Sequence, residues 1–423
     1  MKASVNRLVA RLTLLMVVMA LVTLFLAPAS CGAPEQKGDV TAETLEIWQL
    51  DGFWRYSPQS IWGDTFVAGE YVFGDGLEEQ YVTAYNLQTR EQQRLVEIPL
   101  DYRFEEPSIY EDKVVWSSYY FSQEFRMSQQ KDFDTLNWDV FLLDVKTGEI
   151  RQITTDEHVQ RSPRIYGDTI VWLDNRDEVY EKYPHHYDVY AYSLKTGEER
   201  RITTTNSITA YDLAISGSMV VWTDSRNDDP ASRIQTRPPI QNDDIYLYDL
   251  STNQERQITT DPGSDSSPVI DNGRIVWTGS RRVREADIFI YDVNTGEETQ
   301  ISKSGYAAHN YYPAICGNRI VWADARISQG NTSDDTMEGV VSGNETIYMS
   351  GAAEIYLYDL GTGKETLLVP SAGTEYTMKV HGREMKNVDR QVWLNPVMHG
   401  DFIVYTWVRQ VDPTVYVMRL DDE

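Results

Sequence analysis

The residues able to do chemistry are few and scattered. Five of the six histidines, His158, His185, His186, His309 and His381, fall in polar stretches, and His399 lies in an apolar run. Together with Asp156, Glu157 or Asp265 such side chains are general acid–base groups or metal ligands. Their spacing points elsewhere, since no H-x-H or H-E-x-x-H is present. Neighbours such as His185 and His186 in an extended loop also point opposite ways. The reading is therefore of solvated loop histidines. His158, His309, Tyr311, Asp265 and His381 are kept as candidates to face a ligand or partner. Tyr306, Tyr311 and Tyr312 form an aromatic group suited to a sugar ring or a peptide.

The acidic clusters D-N-R-D-E (174–178) and N-D-D (227–229) carry oxygen ligands that suit Ca²⁺. They lack the D-x-D-x-D-G loop, so Ca²⁺ is at most an accessory and no other cofactor or metal is expected. The G-x-S-x-G elbow and the phosphate-binding G-x-x-x-x-G-K-[ST] loop are both missing from the sequence. Asn331 and Asn344 open glycosylation sequons, which matter only in an organism that glycosylates exported proteins.

What positions these residues is a repeat. D-V-F-L-L-D-V-K-T-G-E (139–149) returns as D-V-Y-A-Y-S-L-K-T-G-E from 188, D-I-Y-L-Y-D-L-S-T-N-Q from 244, D-I-F-I-Y-D-V-N-T-G-E from 287 and E-I-Y-L-Y-D-L-G-T-G-K from 354. Each is preceded by a tryptophan, at 116, 172, 222, 277 and 322. In three units this opens a W-x-D-x-R element, as Asp174/Arg176, Asp224/Arg226 and Asp324/Arg326; Gly279/Arg281 breaks the pattern. An element repeated in this way is structural, with the Asp capping a loop and the Arg bridging to the next unit. Cys316 stands where other units place Ser216 or Tyr166, inside a strand end, and not in a Cys/His nucleophile pair.

Each unit reads as four strands rich in Val, Ile, Tyr and Trp, punctuated by Gly, Asp and Asn. Ile245 to Tyr248 is apolar on both faces, as in a sheet packed between two others. Sheets stacked around an axis do this, and repeats of this length are its signature. Gly148, Gly197, Gly296 and Gly363 occupy a hairpin turn that asks for positive φ, and Asn253 substitutes there. Two degenerate units complete the count. Residues 66–96 form a first one, with Arg90 at the glycine position. Residues 395–420 supply three strands of a last one, which T-L-E-I-W-Q-L (44–50) completes. The expectation is an all-β, seven-bladed propeller of four-stranded antiparallel blades, closed by an N-terminal strand.

The net charge of −27 argues against nucleic acid and against docking by charge on an anionic membrane. Residues 1–30 read as an export signal, with Lys2, Arg7 and Arg11 before the apolar run Leu12–Leu26. Two endings compete. Ala27-Pro28-Ala29 fits signal-peptidase cleavage; Ala29-Ser30-Cys31 fits lipidation at Cys31, although Pro28 stands where Leu is usual. Cys316 is then alone, and no disulfide is expected. Residues 31–43 form a tether and 44–423 the propeller.

The unit P-x-I-x-G-x-x-I-V-W-x-D-x-R…D-I-Y-x-Y-D-x-x-T-G-E-x-x-x-I-T resembles the TolB-like, WD40-like propeller repeat over residues 45–420. That resemblance implies the fold and an envelope setting. TolB carries a separate N-terminal domain for which residues 31 to 44 leave no room, so its partners are not carried over. Tight turns mark one end of the blades. The other end carries the long segments 119–138, 227–243, 327–353 and 370–393. Binding residues favour loops on a rigid scaffold. A monomer that is tethered outside the cytoplasm or secreted is expected to bind an envelope protein or a surface glycan there. The alternatives are a polysaccharide lyase or hydrolase and a surface-layer component.

Overall fold

The computed structural model describes residues 45–420 apart from 51–52, 55–59, 75–76, 121–136, 178–185, 206, 209–211, 229–241, 283–284, 304–309, 325–339, 343–344, 348–353, 370–372, 381–382, 391 and 410–411. The described residues build seven antiparallel blades. Blade 1 runs Ser60–Trp62, Thr65–Gly74, Leu77–Asn86, Gln92–Ile98, with Phe53–Trp54 also paired to its second strand. Blade 2 runs Tyr102–Tyr110, Lys113–Tyr120, Trp138–Asp144, Glu149–Gln152, and blade 3 Gln160–Tyr166, Thr169–Asp174, Asp188–Ser193, Glu199–Arg201. Blade 4 runs Leu213–Ser216, Met219–Asp224, Asp244–Asp249, Gln254–Gln257, and blade 5 Ser264–Asp271, Arg274–Arg282, Glu285–Asp292, Glu297–Gln300. Blade 6 runs Asn310–Cys316, Arg319–Asp324, Glu354–Asp359, Lys364–Val369. Blade 7 runs Val392–His399, Phe402–Arg409, Asp412–Leu420, and its fourth strand is Leu45–Leu50, paired antiparallel from Leu45↔Leu420 to Leu50↔Val415. The N-terminal strand thus closes the ring as expected. First strands of successive blades touch around a complete circuit, including blade 7 against blade 1, and so wall the axis.

The core is a set of seven apolar layers, one between each pair of neighbouring blades. Alternation along a strand produces them, because successive side chains leave opposite faces. In blade 3, Val171 and Leu173 enter the layer shared with blade 4, while Ile170 and Trp172 enter the layer shared with blade 2. This is why a strand apolar on both faces belongs in this architecture. The seam layer between blades 7 and 1 is as dry as the others, with Phe66, Val404, Val415 and Val417 fully buried.

Each repeat tryptophan is fully buried and stacks on the aromatic residue opposite it on the third strand. Trp172 lies over Tyr190 with centroids 6.0 Å apart, Trp222 over Tyr246 at 6.1 Å and Trp277 over Phe289 at 5.8 Å. Such pairs contribute about 0.5–1.5 kcal/mol each beyond burial. The hairpin between third and fourth strands follows the chemistry expected. Asn253 has φ 56° and Arg90 φ 63°, beside Gly148 and Gly197 at 73°. The Asp that opens the turn accepts backbone N–H, as Asp144 does from Thr147 at 2.8 Å and Asp359 from Thr362 at 2.7 Å.

Candidate functional site

In blades 3 and 4 the W-x-D-x-R element is a clamp inside the blade. The indole of Trp222 donates to Asp224 Oδ2 at 2.9 Å, and the other oxygen accepts the Arg226 backbone N–H at 2.9 Å. Arg226 returns to Asp224 at 2.6 Å, lies over the Tyr246 ring at 3.9 Å and pairs with Glu255 at 2.6 Å. Burial raises the Asp224 carboxyl, but Arg226, Ser207 and Trp222 outweigh it and hold its pKa below the usual value. Arg176 repeats this with Asp174, Tyr190 and Glu199 in blade 3. Arg176 and Arg226 therefore tie the strands of their own blades together through the contacts just given, which corrects the expectation of a bridge to the next blade for these two; Arg326 lies outside the described residues. A second clamp joins third and fourth strands. Thr203 Oγ1 donates to Asp188 at 2.7 Å and accepts the Val189 N–H at 2.9 Å, and Ser302 does the same for Asp287 and Ile288.

Blade 5 solves the missing Asp differently. Asp265 on the first strand lies in register with Gly279, and Trp277 donates to Asp265 Oδ1 at 3.0 Å. Asp265 has no exposed surface, and burial pushes its carboxyl up to about 7. The expectation that it faces a partner gives way, because it takes the place of the absent W-x-D carboxylate. A Cβ on Gly279 would sit 2.6 Å from Asp265 Oδ1, so the two positions hold one carboxylate between them.

The other candidates separate. His158 is half exposed in the link after blade 2 and bonds Asp156, which is held below the usual carboxylate range. His309, His381, His185, Cys31, Asn331, Asn344 and Tyr306 lie outside the described residues, and Tyr311 sits in the first strand of blade 6. In the acidic clusters, Asp174 and Asp177 serve Arg176, Arg201 and Tyr190, and Asp228 accepts the Asn242 N–H. Among the described residues no group of three or more His, Cys, Asp or Glu is gathered as for a metal.

The axis wall carries a feature that the repeat hid. The first strands of blades 2, 3, 5, 6 and 7 bulge just ahead of their proline. The residue before that proline has positive φ: Ser162 at 52°, Ser267 at 56°, Tyr312 at 53° and Asn395 at 51°. Bulges re-aim side chains and cluster beside working sites. In blade 4 the matching position is Asp212, whose Oδ2 accepts the Ser267 N–H at 3.0 Å. Tyr312, in blade 6, is 45% exposed despite its bulk. Burial of its hydroxyl and the nearby Asp212 charge raise its pKa. Asp212, Ser267 and Tyr312, from three successive blades, thus gather a carboxylate, a hydroxyl and an exposed phenol ring on one stretch of wall. A strained φ at a bulky residue is a cost that such a site tolerates.

At the tight-turn end the axis is filled. The last residue of each first strand is Trp62, Tyr110, Tyr166, Ser216, Asp271, Cys316 or His399, in blade order. Trp62 packs on Tyr110 at 4.2 Å, on His399 at 4.8 Å and on Tyr166 at 6.0 Å. The four polar members each accept the turn N–H of the next blade: Ser216 from Asn272 at 3.4 Å, Asp271 from Gly317 at 2.7 Å, Cys316 from Gly400 at 3.3 Å and His399 Nδ1 from Gly63 at 3.1 Å. Burial lowers the pKa of His399 to about 4. Cys316 is disulfide-bonded, which corrects the expectation of a chain without disulfides.

No family model and no curated protein matches the chain. Solved structures do. The propeller domain of the Trilobed protease from Pyrococcus furiosus is similar at 13% identity and a TM-score of 0.52, over 88% of this chain and 96% of that one. It is described as having an open velcro topology; here Leu45–Leu50 closes the seam. Pyrococcus horikoshii acylaminoacyl peptidase is similar at 13% identity and a TM-score of 0.50, over 84% of this chain and 59% of that one. TolB from Acinetobacter baumannii is similar at 14% identity and a TM-score of 0.37, over 85% and 80%, too loosely for a functional comparison. These likenesses establish the propeller fold alone.

Proposed function

We propose that this chain is an exported, non-catalytic propeller that binds an envelope protein or a cell-surface glycan at the axial mouth of its long-loop face. The observation that carries the reading is the exposed, backbone-strained Tyr312 beside Asp212 on the first-strand wall. An aromatic face next to a carboxylate suits a sugar ring with its hydroxyls, or a peptide with a basic side chain. The opposite end of the axis is occupied by Trp62, Tyr110, Tyr166 and His399, so the long-loop face is the side of approach. Two inserted hairpins, Val340–Ser342 with Glu345–Ile347 and Gly373–Val380 with Arg383–Arg390, fall within the long segments that the sequence assigns to that face. The two carboxyls raised to about 7, Asp139 and Asp265, are buried within blades holding Thr154 and Trp277, which favours binding over acid–base chemistry. The leader-like residues 1–30 support export.

Affinity capture from the envelope of the source organism tests this, with residues 39–423 as bait beside Tyr312→Ala and a variant with 327–352 cut to a short turn. A protein or glycan held by the bait and released by both variants is the expected result. Equal retention by all three baits removes the axial mouth from the reading. Turnover of polysaccharide by the bait would replace binding with catalysis.

A further inference from the structure

The tight turn of blade 5 holds the single Asn-Gly pair of the sequence, Asn272–Gly273. Five other first-to-second-strand turns open on glycine, at Gly63, Gly167, Gly217, Gly317 and Gly400, each with φ between 56° and 62°. Blade 5 instead places asparagine first, at φ 49°, and glycine second, at φ 76°, the two left-handed residues of a type I′ hairpin. We propose that this turn is a self-modifying site, in which Asn272 deamidates to aspartate and isoaspartate and so loosens the contact between blades 5 and 6. The Gly273 nitrogen attacks the side-chain carbonyl carbon of Asn272 and gives up its proton. The Cγ–Nδ2 bond breaks, and Nδ2 leaves as ammonia with that proton. Water then opens the cyclic imide at one carbonyl or the other, giving aspartate or isoaspartate. No oxidant, metal or second protein is required. The position favours this asparagine over others. Its side chain is exposed, and the nucleophile that follows has no side chain to shield it. Among the described residues the Gly273 N–H makes no hydrogen bond. Asn253 shares the positive φ, but Gln254 follows it and Arg200 and Tyr248 bond its Oδ1. Asn318 precedes Arg319, and its Oδ1 accepts from Arg274 at 2.9 Å.

The consequence follows from what grips the turn. On the blade 4 side the Asn272 N–H donates to Ser216 Oγ at 3.4 Å. On the blade 6 side Asp271 Oδ2 accepts the Gly317 N–H at 2.7 Å, and Arg274 donates to Gly317 O at 3.1 Å. Asn272 Nδ2 donates to Asp271 Oδ1 at 3.0 Å and so steadies the carboxylate that makes the blade 6 contact. Deamidation replaces that donor with a carboxylate, which only accepts. Two adjacent negative charges then repel, and the Asp271 side chain is driven from its place. Isoaspartate also lengthens the backbone by one methylene and displaces Gly273, whose carbonyl accepts the Val293 N–H at 2.8 Å. The Asp271–Gly317 bond is the contact that weakens in both products.

The test incubates the folded full chain in alkaline buffer and follows it by peptide mass spectrometry and by enzymatic methylation of isoaspartate. The peptide carrying residue 272 is expected to gain the mass of an amide-to-acid exchange and to take the methyl label, ahead of the peptides carrying Asn253 and Asn318. Asn272→Gly keeps the left-handed turn and should abolish both signals. Conversion at 272 no faster than at Asn253 overturns the site. The loosening is read separately on fresh protein, by hydrogen exchange of the Gly317 amide. Asn272→Asp should speed that exchange roughly fivefold over the parent, the weight of one hydrogen bond, and Asn272→Gly, which adds no charge, should speed it less. Exchange in Asn272→Asp equal to the parent's overturns the link between the modification and the blade contact.

Discussion

The indole of Trp277 donates across the sheet to Asp265, 3.0 Å away, whereas those of Trp172 and Trp222 reach the aspartate two residues further along their own strand. Gly279 is the reason, since it makes room for the Asp265 carboxylate that arrives from the first strand. Gly279→Asp should cost about 3–5 kcal/mol by burying a second carboxylate against the first. Adding Asp265→Gln copies blade 3, where Gln160 faces Asp174, and should recover most of that loss. Urea unfolding of both variants checks this. A double variant no more stable than the single would show that the carboxylate is not exchangeable between strands.

Buried titrating groups give stability a pH dependence of known sign. Asp139 and Asp265 have folded values near 7, above the unfolded carboxylate, so the folded state holds their protons more tightly and stability falls as pH rises from about 4 to 7. His399 has a folded value near 4, below the unfolded imidazole, so its contribution is present above about 6.5 and is lost as pH falls toward 4. The two slopes oppose each other between pH 4 and 6.5. Asp265→Asn should raise Tm at pH 8 relative to the parent and leave it near the parent's at pH 4. His399→Asn should steepen the decline with rising pH. Tm profiles from pH 4 to 8 that overlay the parent's would contradict both assignments.

Asp224 anchors Trp222, Arg226 and Ser207 with no surface of its own. Asp224→Ala strands an indole N–H and a half-buried guanidinium, a loss of about 3–5 kcal/mol. Asp224→Asn, which keeps one acceptor, should lose less. Calorimetry of the pair ranks them, and equal losses would mean that the charge carries the whole effect.

Tyr312 separates function from stability. Its positive φ is costly for an aromatic residue and its ring is 45% exposed. Tyr312→Gly should therefore hold stability or raise it by up to about 1 kcal/mol, while partner capture is lost. Loss of stability with capture intact would make Tyr312 a packing residue.

The sequence by itself determined the architecture. Repetition of Trp, Asp-Ile-Tyr and Thr-Gly-Glu shows the blades because each blade buries both faces by the same alternation, and Asn253 and Arg90 were legible because a turn's φ is local. Tertiary structure alone decided the rest. Asp265 looked like a loop carboxylate until the register set it against Gly279. His399 and Cys316 looked unrelated until the ring made them neighbours at the axis, and the exposure of Tyr312 follows from a bulge that its own strand does not announce. Local patterns fix backbone geometry, but burial and electrostatic environment depend on which blade stands beside which, and that is set only when the N-terminal strand closes the circle.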